Sequence, residues 1–286
     1  MLRFLVLILS ILIFNSSYSQ HKNHKKRILL LSQTAVYSSS LLALNQLWYK
    51  EYPKSSFHFV NDNNEWMKMD KLGHAVTSYN MGVAGIDAYR WAGYNDVVST
   101  FIGGFTGSIF LTSLEILDGF SKEWGASTGD LLANSIGSIV CILEQKIWDE
   151  QKIILKYSFK PSSFSKYNPR ILGRNLIEQS IKDYNGQTYW ASFNIKSLFF
   201  LEDTKFPDWL NIAIGYSIDG MISPVYNDED DLETKKQYLA SLDIDLNKIN
   251  TNIRFLNRII HIFGFIKIPA PTLEISNSDI KLHYMY

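Results

Sequence analysis

Asp70-Lys-Leu-Gly-His74, Glu115-Ile-Leu-Asp118 and Ser127-Thr-Gly-Asp130-Leu-Leu-Ala-Asn134 stand at the ends of three long apolar segments that begin at Trp66. A carboxylate beside an apolar helix is costly unless it is paired or reached by water. Acids and a histidine in these places therefore predict a polar cluster held between helices. Asp70 and His74 are four residues apart and share one helix face, so the carboxylate can orient the imidazole. Glu115 and Asp118 close the most apolar segment. Ser127 with Asp130 three residues on reads as a capping box opening the next helix, and Asn134 lies one turn further.

Working outward, four helices are expected, at 28–49, 66–91, 97–117 and 127–148. Gly82 and Gly85 permit close helix contact, and Gly103 with Gly107 makes a small-xxx-small pattern suited to tight packing. From about residue 150 the period changes to two. Strands are expected at 153–160, 189–195, 210–216, 238–246 and 280–286, each with one apolar face, as in an antiparallel sheet resting on something apolar. A short helix is expected over 252–263. Five short strands cannot close a membrane barrel, which takes at least about eight. The fold class predicted is α+β, an N-terminal bundle of about four apolar, Gly-rich helices followed by a smaller antiparallel β-rich region. The expected domains are 1–19, 20–150 and 151–286.

Residues 1–19 read as a secretory signal, with Arg3 before the apolar run Phe4–Phe14 and small residues ahead of a cut at Gln20. The expected location is thus the cell envelope. No cysteine lies near that cut, so no lipid anchor is expected. Lys plus Arg and Asp plus Glu both number 28, which gives no net field for nucleic acid. Aromatic residues make up 14% of the chain, and Tyr and Trp suit positions with one wet and one apolar end. The single cysteine, Cys141, excludes an internal disulfide and reads as a small buried hydrophobe.

Three chemistries fit the cluster. A divalent metal held by His74 and two or three of the carboxylates would favour Mg or Mn over Zn, the ligands being oxygen-rich. His74 with Glu115 or Asp130 would serve as general acid and base. A purely structural network, with Lys71 neutralising the acids, would do neither. Asp70, His74, Glu115 and Asp130 are the candidate catalytic residues; Lys71, Asp118 and Asn134 are candidate binding residues. No phosphate loop, nucleophile elbow or His-Glu-x-x-His motif is present.

Asp70-Lys71-x-x-His74, then Glu115 after a Gly-rich apolar helix, then Asp130-x-x-x-Asn134-x-x-Gly137, resembles the YfiM-like predicted periplasmic proteins and, more distantly, the VanZ-like membrane proteins. The blocks Asn45–Tyr49, Ser56–Phe59, Glu115–Ala126, Lys182–Trp190 and Pro269–Leu273 look like the version carried by Bacteroidetes. The resemblance implies an envelope location and a helical domain, and supplies no activity. It leaves two expectations. The first is a membrane-associated envelope protein with a structural role or one in binding membrane lipid or glycan, its β-rich part a periplasmic face. The second is a hydrolase or transferase on a lipid-linked or cell-wall substrate.

Overall fold

The computed structural model describes residues 24–50, 52–199, 205–225, 232–277 and 279–286. The signal segment and the acidic turn at 227–231 lie outside the described residues. The chain divides into two compact units. The helical unit takes the described residues up to Asn61 together with Thr77–Leu143; the sheet unit takes Asp62–Val76 and Glu144–Tyr286.

In the helical unit, α1 spans His24–Leu44, and a two-residue strand β1 covers Phe59–Val60. Helix α2, Met69–Trp91, contributes its later turns. A helical turn at Asp96–Val98 and a π-helical stretch at Ser99–Gly103 lead into α3, Thr106–Asp118. Strand β2, Ala126–Ser127, pairs in parallel with β1 and feeds α4, Thr128–Trp148. Glycines set how closely these helices approach. A Cβ on Gly85 would overlap the Gly103 carbonyl, one on Gly82 the Gly104 carbonyl, and one on Gly107 the Ser78 backbone. Backbone meets backbone there, so no side chain can swing aside. Thr106 Oγ1 uses the approach to donate to the Met81 carbonyl at 2.9 Å, and Ser78 Oγ donates to the Asn134 carbonyl at 2.6 Å.

Helix α4 is inverted. Its buried stripe is Asp130, Asn134, Ser138 and Cys141, and its exposed stripe is Leu132, Ile136, Ile139 and Leu143. Both repeat at helical spacing.

The sheet unit carries one six-stranded antiparallel meander, paired in the order β3 to β8. The strands are β3 Ile153–Phe159, β4 Gln187–Asn194, β5 Leu210–Asp219, β6 Lys235–Ile244, β7 Thr272–Ser276 and β8 Asp279–His283. Helices α5, Leu176–Lys182, and α6, Arg254–Ile262, lie between strands, with shorter helical turns at Pro169–Leu172 and Ile195–Leu198. Register gives each row of side chains one face. Ile154, Ser192, Ala213, Ser241, Thr272 and His283 form one inner row; Leu155, Ala191, Ile214, Ala240, Leu273 and Leu282 form an outer one. The buried face carries the polar groups together with a small apolar cluster of Trp190, Ala213 and Leu239. Lys156 on β3 reaches Asp243 on β6 at 2.7 Å with both side chains fully buried, although two strands separate them, so the sheet curls around its polar face.

This architecture overturns the expected arrangement. The protein is α+β, but it is not an N-terminal four-helix bundle followed by a small β region: among the described residues helices recur from 24 to 262, and the sheet has six strands. The missed strand, β7, holds Glu274 in its buried phase and Leu273 in its open one, the reverse of the usual sign. The helices at 169–172 and 176–182 follow the turn residues Pro161-Ser-Ser and have too few turns to show a period. The strands rest Trp190, Ala213 and Leu239 on one another in a small apolar cluster and leave other aliphatic side chains, such as Ile214 and Leu282, open on the other face.

Gly85→Ala or Gly107→Ala should lower stability by about 1–3 kcal/mol or more through overpacking of backbone. Gly93→Ala, at φ +82 with open space around it, should cost only about 1–2 kcal/mol from the left-handed backbone. Denaturation midpoints of the purified variants test the ranking.

Candidate functional site

In the sheet unit the site begins with a strained turn. Trp66, Met67 and Lys68 all adopt positive φ (47, 49 and 69°) immediately before α2. Left-handed backbone costs a non-glycine residue about 1–2 kcal/mol, so the turn needs external support. The Pro224 carbonyl accepts from Trp66 N–H at 2.8 Å, and Tyr216 Oη donates to the Met67 carbonyl at 3.0 Å. Trp66 and Met69 are buried with Leu172, Ile218 and Met221. The turn thus fixes where α2 starts, and with it Asp70.

Asp70 receives several partners. Tyr184 Oη donates to Oδ1 at 2.6 Å and Lys71 Nζ to Oδ2 at 3.2 Å, while Lys71 also bridges to Asp62 at 2.7 Å. His74 Nε2 lies 3.8 Å from Asp70 Oδ1. That is ion-pair range and too long for a hydrogen bond, so Asp70 does not orient the imidazole as the sequence spacing suggested. Burial pushes the Asp70 carboxyl up; the charges of His74 and Lys71 and the hydrogen bonds from Tyr184 and Lys71 outweigh it and hold the group below the usual carboxylate range. Asp70 is therefore an ionised acceptor with a tyrosine locked on it, not a proton donor near neutral pH.

In the helical unit, Glu115 Oε2 accepts the Ser127 N–H at 2.8 Å, and Ser127 Oγ accepts the Asp130 N–H at 3.1 Å. Ser127 is the N-cap that the sequence predicts. The acid that reaches back to its N–H is Glu115 from α3, in place of Asp130. Asp118, one turn after Glu115, is hydrogen-bonded to Tyr49, whose hydroxyl is raised well above its usual range by burial first and by Asp118 and Glu115 next. An aromatic clamp holds the loop between α3 and β2: Trp124 packs edge-on against Tyr49 and Tyr52, and its carbonyl lies 2.8 Å from His58 Nε2.

Of the candidates, Asp70, Lys71 and His74 gather in the sheet unit; Glu115, Asp118, Asp130 and Asn134 belong to the helical unit, where Glu115 and Asp130 converge on Ser127. Glu115, Asp130 and Asn134 are all buried. Sequence reasoning missed Tyr184, Tyr49 and His58 as partners. Each sits in a block singled out above, yet Tyr184 is 114 residues from Asp70, and no spacing rule joins them.

Tyr184→Phe removes a hydrogen bond to a charged group, typically worth about 1.5–3 kcal/mol. Because the folded Asp70 pKa is depressed, its contribution is present above the unfolded value of about 3.9 and is lost as pH falls through the folded one. The variant should lose stability at pH 7 and converge on the wild type in acid. Urea midpoints across pH measure this; a loss independent of pH would mean packing alone.

Residues 57–146 match the family model described as Predicted periplasmic lipoprotein (DUF2279). No curated protein and no solved structure matches the chain. All the candidate residues lie inside the matched stretch. The description supports a periplasmic family and holds nothing specific to YfiM-like or VanZ-like proteins. The protein is exported and belongs to the cell envelope.

Proposed function

We propose that the protein is a membrane-associated envelope protein whose helical unit sits in or against a bilayer, with Glu115 and Asp130 of the helical unit, and separately Asp70 and His74 of the sheet unit, as contacts for the polar part of an envelope lipid or glycan. The inverted α4 carries this reading. A helix in water buries its apolar stripe; α4 buries Asp130, Asn134 and Ser138 and exposes Leu132, Ile136 and Ile139. In a bilayer the outside is hydrocarbon, and intramembrane polar groups face the bundle interior, which is the arrangement of α4. Two helical stretches, His24–Leu44 and Asp96–Asp118, are by length and composition apolar enough to cross a membrane. Lys71, Asp118 and Asn134 support the acids. The exported protein should pellet with the membranes, where alkaline carbonate separates an embedded unit (retained) from one lying against the bilayer (released); recovery in the soluble periplasmic fraction would overturn the proposal. His74→Ala should then lose an envelope lipid or glycan that co-purifies with the wild type, read by mass spectrometry.

A second reading has one observation behind it: within the sheet unit Asp70 Oδ1 and His74 Nε2 lie 3.8 Å apart, an oxygen and a nitrogen suited to share a divalent cation. Such an ion would polarise an ester or activate water in a hydrolase or transferase. In detergent, Mn at about a hundred times its Kd should stabilise the protein by about 2.7 kcal/mol. His74→Ala and Asp70→Asn should each abolish the gain, and equal melting temperatures with Mn and with EDTA would remove this reading.

A further inference from the structure

We propose that the free edge of β8 pairs with the β8 of a second copy, in a single register, about a two-fold axis at Ile280. The proposal concerns the sheet unit alone and does not rest on the helical unit being in the membrane. The two edges of the sheet differ. At β3 the edge is covered: Tyr157 N–H donates to the Phe265 carbonyl at 2.8 Å, and the Tyr157 carbonyl accepts Lys267 N–H at 2.9 Å. β8 stands last in the strand order, and among the described residues no strand pairs beyond it. Asp279, Ile280, Lys281 and Leu282 are all exposed. Ser276 pairs with Asp279 across a two-residue turn in which Asn277 takes φ 50°. The pair closing such a turn exchanges its hydrogen bonds, and bonded pairs alternate from there along the hairpin. The N–H and C=O groups of Ile280 and Leu282 therefore point away from β7. A row of open backbone groups is a template for another strand.

Charge identifies the strand that fits. Lys281 lies opposite Glu274 in the hairpin, but Glu274 is held by His283 at 2.6 Å and by Gln237 at 2.9 Å. Asp279 lies opposite Ser276. Among the described residues neither Asp279 nor Lys281 makes an ion-pair contact; Asp219 and Glu233 act on Lys281, and Lys235 on Asp279, only at longer range. The edge thus presents one acid and one base, two residues apart, on the same side of the strand. A lysine alone blunts an edge. With Asp279 beside it the strand becomes its own complement. A symmetric antiparallel pair about Ile280 sets Asp279 opposite the second copy's Lys281, twice, as an isologous interface requires, and like charges never meet. Centring on Lys281 would oppose two lysines, centring on Asp279 two aspartates, and centring on Leu282 would set Lys281 against His283; each is disfavoured. The axis at Ile280 also matches the open groups, because Ile280 of each copy then offers its N–H to the other's carbonyl.

The native cysteine is buried, so single introduced cysteines report their own positions in the full mature chain. Opposed residues of a bonded antiparallel pair have Cα atoms about 5.5 Å apart, inside the disulfide range of about 4.4–6.8 Å. Ile280→Cys should therefore link two copies of the purified protein on mild oxidation. Two Leu282→Cys residues would stand four residues apart across the axis, about 13 Å at about 3.3 Å per residue, and should give at least twofold less linked dimer. Sedimentation supplies a second readout. Asp279→Lys or Lys281→Asp alone sets like charges opposite each other and should weaken dimerisation at least fivefold; the double variant should restore it. Equal linkage at 280 and 282, a wild type that sediments as a monomer at every concentration, or single charge variants that dimerise like the wild type would each overturn the proposal. Linkage of position 280 to a different protein with no dimer would overturn it too, by assigning the edge to another chain's strand. Should Ile280→Cys fail to fold by circular dichroism, the charge series decides alone.

Discussion

A carboxylate with no exposed surface, Asp243, faces two equally buried ammonium groups, Lys156 at 2.7 Å and Lys267 at 4.0 Å. Burying an ion costs several kcal/mol unless geometry and further hydrogen bonds offset it. Ser192 donates to the same carboxylate at 2.6 Å, and Lys156 Nζ also meets the Ile244 carbonyl at 2.7 Å. The second ammonium is the weaker partner. Burial pushes Lys267 down to about 8, which Asp243 opposes and Lys156 reinforces, and its Nζ lies over the Trp190 ring. Removing one member would strand the others, so β3 and β6 must face each other across the interior. The curl, the inward polar rows and the outward aliphatic rows all follow from that requirement.

The helical unit solves a related problem with small residues instead of charges. Where Gly82, Gly85, Gly103 and Gly107 let backbones touch, hydroxyls such as Ser78 and Thr106 reach carbonyls of neighbouring helices. Such bonds can be made in hydrocarbon, where association must rely on packing and polar contacts. Glu115 belongs to the same logic, because it caps the start of another helix without needing water.

How much of this was legible is best judged residue by residue. The Ser127 N-cap and the close approach at Gly103 and Gly107 follow from local chemistry and could be read directly. Alternation marked most of the strands, since a period of two does not depend on which phase is buried. The phase itself was invisible: sequence shows that Leu273 and Glu274 face opposite ways, but assigning the inside to the leucine presumes water outside. Long-range partners were equally hidden. Tyr184 takes Asp70, where the short spacing favoured His74, and Glu115 takes the Ser127 N–H, while the Asp130 N–H to Ser127 Oγ half of the box forms as the spacing suggests.

The left-handed run at Trp66, Met67 and Lys68 constrains the order in which the chain can mature. Its supports, the Pro224 carbonyl and the Tyr216 hydroxyl, lie about 150 residues downstream. A chain emerging N-terminus first across a membrane holds α2 long before it holds β5. The first turn of α2 can then settle only after most of the polypeptide has been delivered, so Asp70 acquires its geometry late, as one of the last acts of assembly.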